Sequence, residues 1–242
     1  MAQPAEPAGR AEPAGPAGTV DVLLVEDDPL LREATQLSLE RYGYQVRTAS
    51  DGRAGLARFR ERAPDIAVFD VMLPHLDGVS LVRRIRLESR VPVLMVSART
   101  DSVDVVHGLE AGADDYITKP YDIPVLVARI RSALRRATDL AGESPEETTL
   151  LRFGELTVDT ATMEIRRSGQ LLDLTPTERR LVLEFTAEPG VLLSRSALLE
   201  RIWDYARGGD SRVVDTHVQR LRAKIGHDRI ETVRGFGYRF KT

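Results

Sequence analysis

The sequence predicts an α/β domain with a doubly wound, five-stranded parallel sheet, followed by an α+β domain of short antiparallel strands and helices. Between residues 20 and 136, short apolar runs alternate five times with apolar residues at helical spacing. That alternation is typical of a parallel sheet covered by helices on both faces. After residue 150 the pattern changes to short strands separated by turn residues, then helices and a glycine-rich hairpin. This change indicates a second domain of a different fold.

Composition limits the classes of protein that the chain can represent. Its 242 residues carry a net charge of −3 and include no cysteine, which excludes disulfide frameworks, thiolate metal sites and thiol nucleophiles. No apolar run approaches the ~18 residues of a membrane helix. Residues 1–19, rich in Pro, Ala and Gly, lack the apolar core of a signal peptide. We therefore expect a disordered tail at 1–19, no membrane partner and a cytoplasmic location.

The first domain is predicted to span residues 20–136. Its five strands are apolar runs of a few residues each, at 20–25, 45–49, 66–70, 93–96 and 116–118. Apolar residues at helical spacing predict a helix after each strand, at 30–42, 51–62, after Gly78, at 102–111 and at 124–136. Residues 137–149 contain four acids and no base, which is typical of an extended linker. The second domain is predicted to be 150–242.

Polar residues stand where four of the five strands end. Glu26 and Asp27 follow the first strand, Asp70 ends the third, Ser97 ends the fourth and Lys119 ends the fifth. The carboxyl ends of parallel strands form the ligand-binding edge of such sheets. Taken singly, each is usually an ordinary strand-end residue. Together, three crowded carboxylates need a cation, and oxygen ligands suit Mg²⁺. An Asp nucleophile beside a cation, a Lys and a hydroxyl predicts phosphoryl chemistry.

The order and spacing of these five residues resemble the receiver domain of two-component response regulators, whose fold is flavodoxin-like. The resemblance implies that a sensor histidine kinase phosphorylates Asp70, with Lys119 and Ser97 binding the phosphoryl group and Tyr116 rotating as a switch. It implies that Mg²⁺ is held by Glu26, Asp27, Asp70 and the backbone carbonyl of Met72. It also implies a cis Lys119-Pro120 bond. An alternative is a Mg²⁺-dependent aspartyl-phosphate phosphatase, but such enzymes carry a second acid where this chain has Met72.

The segment from the fourth helix to the fifth resembles the dimerisation face of one response-regulator subfamily. Asp115 and Arg129 match a charge pair that forms between two receivers in that subfamily. At a second pair, relatives usually place a base and a Glu, where this chain has Val105 and Val125. We expect the two valines to pack across a homodimer. The alternative is that both are simply exposed.

The second domain begins with four predicted strands, at 151–153, 155–159, 163–167 and 170–174. Thr175-Pro176-Thr177-Glu178 is a capping box with proline at the first helical position, so a helix is predicted to run from there to Glu188. A second helix is predicted from Ser194 to Trp203, and a third from Ser211 to Ile225. The segments 230–233 and 238–240 are predicted to form a hairpin around Arg234-Gly235-Phe236-Gly237.

The third helix of this domain combines a buried apolar stripe with a basic opposite side. From Ser211 onward the chain has eight Lys and Arg residues but three Asp and Glu residues. Arg and Gln on one exposed helix suit the DNA major groove, while other cations bind phosphates. A basic face exposed to solvent is the plainer interpretation of this helix alone. The glycine-rich hairpin beside it favours a winged helix-turn-helix.

The stretches 174–178, 214–218 and 233–240 resemble the effector domain of OmpR/PhoB-type regulators. By that resemblance Arg212, His217 and Arg222 would contact the DNA backbone, Val213, Thr216 and Arg220 would face bases, and Arg239 would enter the minor groove. Arg234, beside the glycine-rich tip of the hairpin, is a further predicted DNA contact. The loop 204–210 resembles the segment that touches RNA polymerase.

The sequence therefore predicts a transcriptional response regulator rather than an enzyme. Phosphorylation at Asp70 would favour a homodimer of receivers, which places two winged helices on tandem half-sites of double-stranded promoter DNA. The alternative within the same fold is a constitutive DNA-binding regulator that ignores phosphorylation.

Overall fold

The structure of the protein is a computed structural model. It describes residues 19–98, 102–138, 150–205 and 210–242, with side chains of the fourth helix from Val105 onward. Residues 1–18 of the predicted tail and most of the predicted linker lie outside these ranges, as do residues 206–209 of the predicted polymerase loop. Elements are numbered in chain order. The strands of the first domain are β1 Asp21–Val25, β2 Gln45–Ala49, β3 Ile66–Asp70, β4 Val93–Ser97 and β5 Asp115–Thr118.

The first domain has the predicted doubly wound architecture. Its five strands are parallel in the order β2-β1-β3-β4-β5. Every residue of β1, β3 and β4 is buried, as expected for strands covered on both faces. The five helices are α1 Pro29–Arg41, α2 Gly52–Glu61, α3 Gly78–Arg86, α4 Ser102–Ala111 and α5 Ile123–Thr138. The strand order therefore brings the carboxyl ends of β1, β3 and β4 side by side.

Local signals fix the helices beside that edge. The Asp28 carboxylate accepts hydrogen bonds from the backbone N–H groups of Leu30 and Leu31, and Pro29 occupies the first helical turn of α1. At the start of α3, a Cβ on Gly78 would stand 2.0 Å from the backbone carbonyl oxygen of Asp70. Only glycine allows this helix to begin so close to the end of β3.

The second domain is built from two antiparallel sheets and three helices. Its first sheet has the order β6-β7-β8-β9 and its second the order β10-β12-β11. The strands are β6 Leu150–Phe153, β7 Leu156–Asp159, β8 Ile165–Arg167, β9 Gln170–Leu171, β10 Leu192–Ser194, β11 Ile230–Val233 and β12 Gly237–Phe240. The helices are α6 Pro176–Ala187, α7 Arg195–Trp203 and α8 Arg212–Ile225. Strand β10 was not predicted, and β9 is shorter than predicted.

The predicted helix signals of this domain are present. Thr175 and Glu178 form a reciprocal capping box at the start of α6, and the Ser194 hydroxyl accepts the backbone N–H of Ala197 at the start of α7. Strands β11 and β12 form the predicted hairpin. Helices α7 and α8 with this hairpin make the winged helix-turn-helix.

The two domains pack against each other. Helix α8 lies against α4, and helices α6 and α7 lie against α5. None of the helices in the described ranges has both the length and the apolar composition that crossing a bilayer requires.

Candidate functional site

Asp70 occupies the end of β3 at the ligand-binding edge of the sheet. The residue is only 6% exposed, and its Oδ1 accepts a hydrogen bond of 2.9 Å from the backbone N–H of Met72. The backbone N–H of Val71 donates to the carbonyl of Val96 on the neighbouring strand β4. The end of β3 is thus bonded to β4, and the carboxylate to the turn that follows. A carboxylate this deeply placed needs a cationic partner.

Lys119 supplies that partner. Its Nζ lies 2.5 Å from Asp70 Oδ2 and 2.7 Å from Glu26 Oε2, so one ammonium group bridges two strand ends. Burial lowers the pKa of Lys119, but the hydrogen bonds and charges of the two carboxylates outweigh it, and the pKa lies above its ordinary value. Lys119 is therefore held in its charged form. The Lys119-Pro120 bond is cis, as expected.

Glu26, Asp27 and Asp70 form the acidic cluster that the sequence predicted. One carboxylate oxygen from each lies within 4.8 Å of the other two. Burial is the main cause that raises the pKa of Glu26, and the charge of Asp70 adds to it. Glu26 Oε1 is buried and accepts no hydrogen bond from the residues that the structure describes. An unpartnered carboxylate oxygen in an all-oxygen cluster fits a Mg²⁺ ligand.

Ser97 and Tyr116 lie on the strands next to this cluster. Val96, one residue before Ser97, is the register partner of Asp70, which places the buried Ser97 at the same edge. Tyr116, on β5, is buried as well. It lines a cavity of about 330 Å³ whose other walls include Tyr205 and Val213 of the second domain. The predicted switch residue thus faces the interface between the domains.

Helix α8, the predicted DNA-reading helix, is turned toward the first domain. Arg220 Nη1 donates to the backbone carbonyls of Leu109 and Ala113, at 3.1 and 3.2 Å, at the carboxyl end of α4. Its Nη2 lies 2.9 Å from the carboxylate of Glu178. Arginine at the carboxyl end of a helix also interacts favourably with the helix dipole. The guanidinium predicted to face bases is thus engaged within the chain.

Three other residues predicted to contact DNA are buried. Val213 and Thr216 are 2% and 7% exposed, and His217 is fully buried. His217 Nδ1 lies 2.8 Å from the carbonyl of Val213, and its ring packs edge-on to Trp203. Burial, followed by the charge of Arg220, lowers the pKa of His217 to about 4. The sequence predicted an exposed basic face, but the structure covers this part of it because the first domain packs there.

Of the remaining predicted DNA contacts, Arg222, Arg234 and Arg239 lie at or beside the wing, and Arg212 lies at the opposite end of α8. Arg222 donates to the carbonyl of Ile230 and to Thr232 Oγ1, which ties α8 to β11. Arg239 pairs with Glu231 at 2.7 Å across the hairpin. Arg234 is exposed at its tip. Arg212, at the start of α8, pairs with Asp210 at 2.6 Å.

Comparison with known proteins agrees with this division of the chain. Residues 22–131 match the family model for the response regulator receiver domain, and residues 169–240 match that for the transcriptional regulatory protein C terminus. The chain is 63% identical over 228 residues to the transcriptional regulatory protein CseB of Streptomyces avermitilis, covering 91% of this chain and 97% of that protein. It belongs to the OmpR/PhoB-type response regulators.

Two further comparisons support this membership and the fold. This response regulator is 40% identical over 223 residues to the DNA-binding response regulator MtrA of Mycobacterium tuberculosis, covering 90% of this chain and 95% of that protein. A solved structure of a RitR mutant superposes with a TM-score of 0.68 at 24% identity, covering 93% of this chain and 99% of that one. The latter likeness concerns the fold alone. CseB is named a transcriptional regulatory protein and MtrA a DNA-binding response regulator. DNA binding and transcription regulation are the function of the family.

Two of the four residues predicted to form the dimer face of this response regulator, Asp115 and Arg129, contact the second domain of the same chain. Asp115 and Val105 are buried, and Arg129 is partly buried. Val125 is 43% exposed. The Tyr205 hydroxyl donates to Asp115 Oδ1, and the guanidinium carbon of Arg129 lies 3.2 Å from the centre of the Tyr205 ring.

Sequence reasoning did not find the residues that join the two domains. Trp203 Nε1 donates to the carbonyl of Asp114 at 3.0 Å. Ser132 Oγ donates to the carbonyl of Trp203 at 3.1 Å, and Arg136 Nη1 to that of Ile202 at 3.2 Å. These bonds connect α5 and β5 to the carboxyl end of α7. The one signal in the sequence is Trp203 at the end of a predicted helix. Tryptophan is usually buried in folded proteins, which predicts that this side chain packs against something but does not say what.

Proposed function

We propose that this response regulator accepts a phosphoryl group from a sensor histidine kinase on Asp70. A carboxylate oxygen of Asp70 attacks the phosphorus of the kinase phosphohistidine. The new P–O bond forms as the P–N bond breaks, and the imidazole leaves with the electron pair. The single observation that carries this proposal is the bridge of Lys119 between Asp70 and Glu26 at one edge of the sheet.

The residues around Asp70 have distinct roles in this proposal. Lys119 exchanges one carboxylate partner for a phosphoryl oxygen, and the Ser97 hydroxyl donates to another. The carboxylates of Glu26, Asp27 and Asp70 and the backbone carbonyl of Met72 would hold Mg²⁺, which neutralises charge on the transferred group. The buried, unpartnered oxygen of Glu26 supports that ligand set.

The proposal continues to DNA through dimerisation. Phosphorylation shifts the receiver toward a form that pairs with a second copy, with Tyr116 as the switch and Asp115, Arg129, Val105 and Val125 at the dimer face. Two winged helices then bind tandem promoter half-sites at raised effective concentration.

In the DNA complex, α8 and the wing would make the contacts. We assign backbone contacts to Arg212, His217 and Arg222, base contacts to Val213, Thr216 and Arg220, and wing contacts to Arg234 and Arg239. The loop 204–210 would touch RNA polymerase. Promoter DNA as the target also places the protein in the cytoplasm.

The arrangement of α8 argues against constitutive DNA binding. Arg220 is engaged by the carbonyls at the end of α4 and by Glu178, and Thr216 and His217 are buried. The two domains must separate before these residues reach DNA. The phosphatase alternative lacks a second acid, because Met72 occupies its position.

Solution mass tests the proposal. Light scattering would be recorded with and without Mg²⁺ and acetyl phosphate, with Asp70→Asn as the control. We expect the wild type to change from monomer to dimer and the variant to stay monomeric. A wild type that remains monomeric, with Asp70 shown by mass spectrometry to be phosphorylated, would remove dimerisation from the proposal.

A further inference from the structure

Helix α1 is hydrogen-bonded both to the acidic cluster and to the segment between β5 and α5. Arg32 Nη1 donates to the backbone carbonyls of Glu26 and Asp27, at 2.7 and 3.1 Å. About one turn later, the hydroxyls of Thr35 and Tyr121 share a hydrogen bond of 3.2 Å. Because one turn of helix has a fixed geometry, α1 sets how far apart the two segments lie.

Lys119 lies between two points at which its segment is anchored. Its backbone N–H donates to the carbonyl of Ser97 on β4 at 2.7 Å, and two residues later the Tyr121 hydroxyl is bonded to α1. The ammonium group stands 2.5 Å from Asp70 and 2.7 Å from Glu26, and its side chain is 15% exposed. Since the stem of a lysine is flexible, the place of the ammonium depends on where the backbone is held.

The contact between Tyr121 and Thr35 is largely shielded from water. Thr35 is 1% exposed, and the partly buried Tyr121 packs against the apolar cluster between the sheet and helices α1 and α5. Burial is the main cause that raises the pKa of Tyr121, and the charges of Glu26 and Asp70 also raise it, although the bond to Thr35 lowers it. The protonated hydroxyl is thus held beside the acidic cluster.

We propose that the Tyr121 hydroxyl, bonded to Thr35, is a positioning group that holds Lys119 between Asp70 and Glu26. Its part in phosphoryl transfer rests on the proposed function, whereas its hold on Lys119 does not. In the unphosphorylated protein the bond keeps the ammonium group on the two carboxylates. When Asp70 receives a phosphoryl group, the same bond keeps the ammonium group within reach of the phosphoryl oxygens.

This role predicts two effects of opposite sign when the bond is lost. The ammonium group competes with Mg²⁺ for the oxygens of Asp70 and Glu26, so a Lys119 that is held less firmly lets Mg²⁺ bind more tightly. The same Lys119 is less well placed for the transferred group, so phosphoryl uptake slows. A general loosening of the site would weaken both. Loss of one hydrogen bond between neutral groups corresponds to roughly a threefold to tenfold change in an equilibrium constant.

Tyr121→Phe tests the role with little disturbance, because it removes the hydroxyl and keeps the ring. The Thr35 hydroxyl that it leaves behind can donate to the carbonyl of Leu31, four residues earlier in the helix. Thr35→Val removes the other partner with a side chain of the same shape, and the double variant completes a double-mutant cycle. The matched control is Tyr44→Phe, which removes from the same apolar cluster a tyrosine hydroxyl that is bonded to Arg131.

Amine labelling reports the hold on Lys119 without metal or phosphoryl donor. The chain has three lysines, and the exposed Lys241 is the reference within each molecule. Full-length protein without Mg²⁺ would be treated briefly with acetic anhydride, and mass spectrometry would give the acetylation rate of Lys119 relative to that of Lys241. We expect Tyr121→Phe, Thr35→Val and the double variant to raise this ratio by the same factor, about threefold or more, and Tyr44→Phe to leave it unchanged. An unchanged ratio for Tyr121→Phe, or effects that add in the double variant, overturns the proposal.

Calorimetric titration with Mg²⁺ and the rate of Asp70 phosphorylation by acetyl phosphate, at saturating Mg²⁺, complete the test. We expect Tyr121→Phe to lower both the Mg²⁺ dissociation constant and the phosphorylation rate, each by about threefold. If Mg²⁺ binding weakens together with phosphorylation, Tyr121 stabilises the site as a whole and the positioning role is refuted. If the wild type takes up no phosphoryl group while the labelling ratio rises as expected, the proposed function fails and the hold on Lys119 stands.

Discussion

Replacing His217 by Gln should remove a loss of stability in mild acid. His217 is fully buried, its Nδ1 is occupied by the Val213 carbonyl and its Nε2 has no partner among the described residues. Burial lowers its pKa from 6.5 to about 4. Gln keeps a polar amide of similar reach and does not titrate between pH 8 and pH 5.5.

The sign follows from the groups that titrate in this range. Unfolded His217 binds a proton below pH 6.5, whereas the folded protein resists it until about pH 4, so acid favours unfolding between these values. Asp115 opposes this effect. Burial raises its pKa to about 6, so the folded state binds the proton more tightly and gains stability as the pH falls below 6.

The two pKa shifts set the magnitudes. Between pH 8 and pH 5.5, the shift of His217 corresponds to a loss of stability on the order of 1 kcal/mol. Over the same interval, the shift of Asp115 corresponds to a gain of similar order. On going from pH 8 to pH 5.5, His217→Gln should therefore fare better than the wild type by about 1 kcal/mol, because only the contribution of His217 differs between the two proteins.

Urea unfolding, monitored by circular dichroism at pH 8 and pH 5.5, measures the change in the free energy of unfolding for each protein. Asp115→Asn is the reciprocal control, and it should lose the full amount assigned to His217. If the stabilities of wild type and His217→Gln respond to acid alike, His217 is already solvated in the folded protein. In that case α8 does not pack against the first domain in solution.

Three further changes test separate parts of the structure. Glu26→Gln removes one charge from the acidic cluster and should weaken Mg²⁺ binding by about tenfold or more in calorimetric titration. Gly78→Ala places a methyl group 2.0 Å from the Asp70 carbonyl and should lower the free energy of unfolding by at least ~2 kcal/mol in urea titration. Arg86→Met removes the ion-pair partner of the buried Asp114, which lies 2.7 Å away. In the same titration it should lower the free energy of unfolding by about 3–5 kcal/mol, and a decrease under ~1 kcal/mol would mean that this pair is hydrated.

The sheet of the first domain and the cluster at its edge followed directly from the sequence. Short apolar runs predict the strands of a parallel sheet. The carboxyl ends of those strands lie at the same edge of the sheet whatever the exact strand order. Asp70, Lys119 and Glu26 therefore had to approach one another once their strands were recognised. The Thr175 capping box was equally local, since it needs four consecutive residues.

Features that depend on distant partners were not predictable in this way. Strand β10 has three residues and too little alternation to identify it, and it becomes a strand only because Tyr238 and its neighbours on β12 pair with it. Tyr205 and Asp115 are ninety positions apart in the chain. Nothing in the spacing of either residue indicates the other, so the contact between the domains could be identified only from the structure.

The place of Trp203 gives this protein a built-in optical signal. It is the one tryptophan of the sequence, and its indole N–H is bonded to the Asp114 carbonyl across the domain boundary. Separation of the domains replaces that carbonyl by water, so the emission should shift to longer wavelength without any attached dye. Stopped-flow recording of this shift beside the rate of phosphoryl uptake would show which of the two events comes first. Since the chain has no cysteine, a single cysteine introduced elsewhere can be labelled with an acceptor dye. Energy transfer from Trp203 to that dye would then report the distance between the two positions.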